Sequence, residues 1–146
     1  MNLSIREVTD YDYAAICTLM NNDLELGLDI KIDVLSAQIG RMNANGNYII
    51  KVAVCDNEIV GFVAAYKTLI LEMPNEYMRM IGLVVKKHHR RKGIGMQLMN
   101  TVIQYAVQND VAYIALNTLP RAIEDQAFYE TLGFEKKSVC YSKALC

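Results

Sequence analysis

The sequence predicts an α+β domain of three layers, α/β/α, with a mixed, mostly antiparallel sheet flanked by helices. Three observations carry that prediction. Residues 48–85 hold three β-rich runs divided by turn residues, residues 94–106 change to apolar spacings of three and four, and helical and strand-like segments flank both. The chain has 146 residues, 53% of them hydrophobic, with a formal net charge of −1. That suits one domain over 1–146 with a real core, and it is far from the composition of a disordered chain.

The elements follow in order. Residues 3–8 alternate as a short strand, and Thr9 with Asp12 stands in the S/T-x-x-D/E relation that opens helices. Ala14, Ile16, Cys17, Leu19 and Met20 suit a first helix, and Leu24, Leu26, Gly27 and Leu28 lead to a second around Val34–Met42. Tyr48–Cys55 and Ile59–Leu71 read as the arms of a hairpin turning at Asp56-Asn57-Glu58. Tyr77–Val85 is a strand whose end, Ile81-Gly82-Leu83-Val84-Val85, is apolar enough to be covered on both faces. Ile94, Leu98, Met99, Val102, Ile103 and Ala106 mark an amphipathic helix ending near Asn109. Val111–Leu116 then reads as a short buried strand, Ala122–Leu132 as a helix stopped by Gly133, and Phe134–Leu145 as a closing strand.

Several function classes fall away. No stretch approaches the roughly 18–20 apolar residues of a membrane span. The N-terminal MNLSIREVTDYDY places acids where a signal peptide needs an apolar run, so a cytoplasmic protein without membrane contact is expected. Cys17, Cys55, Cys140 and Cys146 make no CxxC pair, and the two histidines, His88 and His89, are adjacent, so neither a metal site nor a disulfide framework is expected. Residues 1–85 carry 11 acidic and 6 basic side chains, net −5; residues 86–146 carry 5 and 9, net +4. The overall balance argues against a nucleic-acid partner, while one local run, Lys86-Lys87-His88-His89-Arg90-Arg91-Lys92, suits a small anion.

That run joins the end of an apolar strand to a helix through Gly93-Ile94-Gly95. Cations at a helix N-terminus oppose its dipole unless an anion sits there, and glycines let phosphate oxygens reach the backbone. The run is not a Walker A loop, since no Lys-Ser or Lys-Thr follows the glycines, nor is it GxGxxG. Arg90-x-x-Gly93-x-Gly95 after Val85 resembles motif A of the GNAT superfamily of N-acetyltransferases, Q/R-x-x-G-x-G/A. Ala127-Phe128-Tyr129-Glu130-Thr131-Leu132-Gly133-Phe134 is similar to that family's helix ending in a YexlGF signature, and Ile5-Arg6-Glu7 through Leu19 resembles its N-terminal segment.

The resemblance implies a GNAT-like fold, acetyl-CoA as cosubstrate and transfer of its acetyl group to a primary amine by direct attack on the thioester. It implies a pyrophosphate site at Arg90, Arg91, Lys92, Gly93, Ile94 and Gly95, a pantetheine arm along Leu83, Val84 and Val85, and a further cofactor contact at Asn117. By the same resemblance the Val85 N–H polarises the thioester carbonyl and Tyr129 is the general acid. The base is the weakest match: Arg79, Asn117 and Ala122 stand where relatives carry Glu, Glu and Asn. Glu76, with Glu72 nearby, is the remaining candidate, against a plain reading as loop carboxylates. Asp23, Glu25, Asp29, Glu72 and Glu76 fall where the family builds its acceptor wall, which favours a cationic small-molecule or peptidyl amine. The rival readings are a catalytically silent acyl-CoA-binding module of the same fold and a nucleic-acid protein using residues 86–92. Relatives often dimerise through C-terminal strands, and Ser138-Val139-Cys140-Tyr141 is the candidate edge for a homodimer.

Overall fold

The structure, a computed structural model, describes residues 2–146, which divide into two units, one ending at Ala115 and one running from Leu116 to Cys146. In the first, β1 (Leu3–Glu7) leads through a 3-10 turn (Asp10–Asp12) into α1 (Tyr13–Asp23) and α2 (Ile32–Ala44). β2 (Tyr48–Cys55), β3 (Glu58–Thr68), β4 (Tyr77–Val85), α3 (Ile94–Gln108) and β5 (Ile114–Ala115) complete it. The second unit holds α4 (Ile123–Thr131). The fold is α+β, with a five-stranded mixed sheet in the order β1-β2-β3-β4-β5, antiparallel except where β5 runs parallel to β4.

Local chemistry explains the boundaries. β2 turns into β3 at Asp56 and Asn57, whose φ values of 49° and 67° are the left-handed pair of a type I′ hairpin turn, which Asp and Asn tolerate. Before α1, the Thr9 N–H donates to Asp12 Oδ2 (2.8 Å), as the spacing predicts. Arg6 then grips the same carboxylate with two bonds, 2.7 and 2.9 Å.

The sheet is covered on both faces. Ile50, Val52, Phe62, Ala64 and Val84 share one core cluster with Ile16, Cys17 and Leu19 of α1 and Leu35 and Ile39 of α2. The alternate residues, with Val63 and Ala65 fully buried, face the other way toward α3, whose Leu98, Met99 and Val102 are fully buried. β4 carries an extra residue, Ile81, because Ala64 pairs with Gly82 while Ala65 pairs with Met80. Such a bulge bends the strand.

Three expected strands differ. Val111–Leu116 reduces to the half-buried Ile114–Ala115, paired only with Met78 and Arg79. β3 ends at Thr68, the residue opposite the start of β4, so Leu69 and Leu71 lie exposed in the connection although they continue the apolar pattern. Phe134–Leu145 forms no strand among the described residues: Glu135-Lys136-Lys137-Ser138 breaks the alternation, and residues 135–146 are exposed. A strand exists only through its ladder, and apolar residues at 139 and 141 alone do not secure one. The expected dimer edge at 138–141 therefore has no strand to build on.

Candidate active site

The C-terminal end of β4 is prepared as an open edge. Lys86 N–H donates to the Val60 carbonyl on β3 (2.8 Å), and the Val84 carbonyl points at β3 so closely that a Cβ on Gly61 would lie 2.8 Å from it. In an antiparallel pair the alternate residues point outward. The N–H and C=O groups of Leu83 and Val85 therefore face away from β3, toward the side where β5 pairing has stopped at Arg79. The bulge at Ile81 lies between that last β5 contact and the outward groups.

Beyond Val85 a 3-10 turn (Lys87–His89) and three exposed cations lead to α3. Arg91 and Gly93 are left-handed, with φ of 61° and 82°. A side chain at such a φ costs about 1–2 kcal/mol, which suits glycine at 93 and leaves Arg91 strained. Gly93 is the N-cap of α3 and gives no side-chain cap, and the first helical turn has no acid. Gln97 N–H makes the first intrahelical bond, to the Gly93 carbonyl (3.1 Å), so the N–H groups of Ile94, Gly95 and Met96 have no partner within the helix. Open space surrounds the position of a Gly93 Cβ, and the buried Nδ1 of His89 lacks a hydrogen-bond partner. An uncapped helix start directly preceded by Arg91 and Lys92 fits a pyrophosphate better than any side chain of this loop.

Asp23, at the end of α1, is buried, and its carboxylate accepts the Lys87 N–H (2.9 Å). Glu25 pairs with Lys87 (2.9 Å), whose hydrogen bond holds the Glu25 carboxyl below its ordinary pKa. Lys86 does the same for Glu58. Arg90 Nε donates to the Val85 carbonyl (3.0 Å) and its Nη2 to the Asp23 carbonyl.

The structure thus brings Leu83, Val84, Val85, Arg90, Arg91, Lys92, Gly93, Ile94 and Gly95 into one strand–loop–helix segment. It does not bring Glu76 there. Glu76 precedes β4, separated from Val85 by about 30 Å of extended chain, and it pairs with Lys67 (3.9 Å). Of the five acids expected in the acceptor wall, Asp23, Glu25, Asp29 and Glu76 are paired with Lys87 N–H, Lys87, Lys31 and Lys67, and Glu72 lies exposed in the connection before β4. Sequence reading gave Asp23 no structural role, and the one signal for it was an acid at the last turn of a helix, where the dipole disfavours it.

Asn117 and Tyr129 lie in the second unit. α4 ends in a full Schellman motif: Gly133, at φ 92°, donates to the Glu130 carbonyl (3.0 Å), and Phe134 N–H donates to that of Tyr129 (3.1 Å). Phe134 then packs edge-on to the Tyr129 ring, with centroids 5.7 Å apart. Burial first, and Asp125 second, push the Tyr129 phenol up to about 12.

The model of the acetyltransferase (GNAT) family matches residues 14–134. The chain belongs to the acetyltransferase (GNAT) family. An uncharacterized N-acetyltransferase of Bacillus subtilis, YhfO, is 27% identical over 135 residues, 92% of this chain and 91% of that protein. Human N-acetyltransferase 8 is 29% identical over 85 residues, 58% of this chain, and the match spans 37% of that relative's length. A transcriptional regulator from Bacillus halodurans C-125 has the same fold, with a TM-score of 0.91 at 23% identity over 99% of this chain and 100% of that one. AAC(6')-Iy, solved with the bisubstrate analog CoA-S-monomethyl-acetylneamine, superposes with a TM-score of 0.83 at 19% identity, each chain fully covered. In this GNAT chain, the family's loop motif is the uncapped start of α3, and its YexlGF signature is the Schellman end of α4. Among the described residues no helix is long and apolar enough to cross a membrane.

Proposed function

We propose that this protein transfers an acetyl group from acetyl-CoA to a primary amine. The observation that carries the reading is the bare N-terminus of α3, left-handed at Gly93, without side-chain cap or acid and directly preceded by the cations Arg91 and Lys92. When bound, acetyl-CoA supplies a thioester open to attack by an amine. The chain's own residues supply the rest. The N–H groups of Ile94, Gly95 and Met96, with the cations of Arg91 and Lys92, hold the pyrophosphate. The outward N–H groups of Leu83 and Val85 are donors placed for a developing oxyanion. Tyr129, its phenol pushed up to about 12, keeps its proton on Oη throughout the neutral range.

The carboxylates that meet the loop after Val85, Asp23, Glu25 and Glu58, are paired with Lys87 N–H, Lys87 and Lys86, which favours an amine that loses its proton to water or arrives neutral. The proposal extends to a primary amine, because four of the five acids expected to favour a cationic one pair within the chain.

Calorimetry of acetyl-CoA with the wild type and a Gly93→Asp variant tests the reading. Asp tolerates a left-handed φ better than most residues, and its carboxylate would cap the vacant N–H groups and repel phosphate. Binding by the wild type and a loss of 100-fold or more in the variant, with helix content intact, is the expected result. Absence of binding by the wild type overturns the proposal and the silent acyl-CoA module together.

A further inference from the structure

Arg90 is the first residue of the loop motif and, by charge alone, a ligand for the anion. Its side chain is spent otherwise. The side edge of the guanidinium spans two carbonyls, taking that of Val85 through Nε and that of Asp23 through Nη2. We propose that Arg90 is a positioning residue: it braces the end of β4 to the end of α1 and thereby sets the shape of the anion loop, while the anion itself is held by the backbone and by other cations. The inference rests on the proposed acetyl-CoA site and assigns Arg90 a different part in it.

The brace acts on one peptide unit from both sides. Lys86 N–H is held by the Val60 carbonyl on β3, and the Val85 carbonyl of that same peptide is held by Arg90 on the open side. The plane at which the strand becomes loop therefore cannot rotate. Capping that carbonyl also removes an acceptor from the outer edge, so the Val85 N–H stands there as a donor with no competing oxygen beside it.

The second carbonyl belongs to the last residue of α1, where a cation complements the helix dipole and satisfies an orphan acceptor. Asp23 returns the contact with its buried carboxylate on the Lys87 N–H (2.9 Å), and Glu25 adds its ion pair to Lys87 (2.9 Å). Segment 23–25 and loop 86–90 are thus clasped by three bonds, one of them to a buried carboxylate. A lysine keeps the charge of Arg90 but cannot span two carbonyls with a planar fork.

That difference defines the test. Wild type, Arg90→Lys, Arg90→Gln and Asp23→Asn are compared by amide hydrogen exchange without ligand and by acetyl-CoA calorimetry well below the melting temperature. A brace predicts at least tenfold faster exchange at Lys86 and Lys87 in both Arg90 variants. It also predicts that Arg90→Lys loses acetyl-CoA affinity as fully as Arg90→Gln, about tenfold, and that Asp23→Asn loses nearly as much. A melting temperature within a few degrees of wild type shows that the affinity loss is not general unfolding. Unchanged exchange in the Arg90 variants overturns the proposal, as does an Arg90→Lys protein that keeps wild-type affinity, the result expected of a direct anion ligand. A wild type that does not bind acetyl-CoA refutes the proposed function, and the exchange arm still decides the brace.

Discussion

Two helices of the first unit start in opposite ways. α1 is entered through a 3-10 turn closed by a capping box, in which the Asp12 carboxylate takes the Thr9 N–H and both arms of Arg6. α3 is entered through a left-handed glycine with no cap, no acid and a row of cations. The second start lacks a side-chain cap and an acid and carries cations where the dipole disfavours them; on the proposed reading, what the entry to α1 closes with Asp12, α3 leaves for the pyrophosphate. Local rules broken in the middle of an otherwise consistent fold mark where stability yields to function.

Asp12→Ala should break the closed start with the largest effect. Asp12 is buried, with 5% of its side chain exposed, while Arg6 is 44% exposed, so the cost falls toward the low end for a buried pair, about 3 kcal/mol. Urea unfolding should show this loss while acetyl-CoA affinity, read well below the transition, stays within twofold. A loss under 1 kcal/mol, or a loss of affinity instead, would remove the contrast between the two helix starts. The pH dependence has a definite sign. Arg6, first among the causes, holds the Asp12 carboxyl below its ordinary value near 3.8. The pair therefore contributes fully above that value and is lost as pH falls through the lower, folded value. Wild type should lose this increment in acid, and the Ala variant should lack that part of the acid slope.

How far the sequence revealed all this differs from residue to residue. Thr9–Asp12, Asp56-Asn57, Gly93 and Gly133 were legible because their effect is local: a cap, a hairpin turn and two left-handed positions each act within about five residues. The strands β2 and β4 were read to the residue from their apolar runs, although the end of β4 is not covered on both faces as expected: Ile81 is 45% exposed at the bulge and only Val84 of 81–85 is buried. Arg90 was legible as a charge and not as a brace, because its partners are carbonyls, and a carbonyl of Asp23 has no sequence signature. The engagement of Glu25, Asp29 and Glu76 was hidden for a similar reason: pairing depends on which loops meet, and composition records only that acids are present. The closing strand at 134–145 was misread because Val139 and Tyr141 imitate alternation without a neighbour to pair with.

A third helix end sharpens the contrast at lower cost. α4 stops at Gly133 with both Schellman bonds made and Phe134 packed on Tyr129. This end is as closed as the start of α1, yet it lies within the signature that points to the family. Gly133→Ala places a Cβ at φ 92° and should cost about 1–2 kcal/mol in thermal or urea unfolding. An unchanged stability would mean that the glycine is kept for a reason other than stopping the helix.

Tyr129→Phe should have the smallest effect on the fold and separates the two readings of that signature. Its ring packs against Phe128 and Phe134, contacts that a phenylalanine keeps, so stability should shift by less than about 1 kcal/mol. The hydroxyl is a different matter. A phenol pushed up to about 12 always carries its proton at working pH, but full transfer to a thiolate whose acid titrates near ~8.5 is uphill by about 5 kcal/mol. Tyr129 can therefore assist a departing thiolate by donating a hydrogen bond, worth about tenfold in rate, and not by the larger factor of a well-matched general acid. Thiol release with acetyl-CoA and a panel of primary amines should fall about tenfold in Tyr129→Phe, with acetyl-CoA affinity within twofold. The wild-type rate should climb about tenfold per pH unit from 7 to 9 as the amine, with a pKa near ~10, loses its proton, and show no falling limb from Tyr129 up to about pH 10.5. A falling limb near neutrality, or a loss of 1,000-fold or more, would show a matched acid in place of a hydrogen-bond donor. Unchanged turnover, with chemistry rate-limiting, would leave Tyr129 only its part in closing α4.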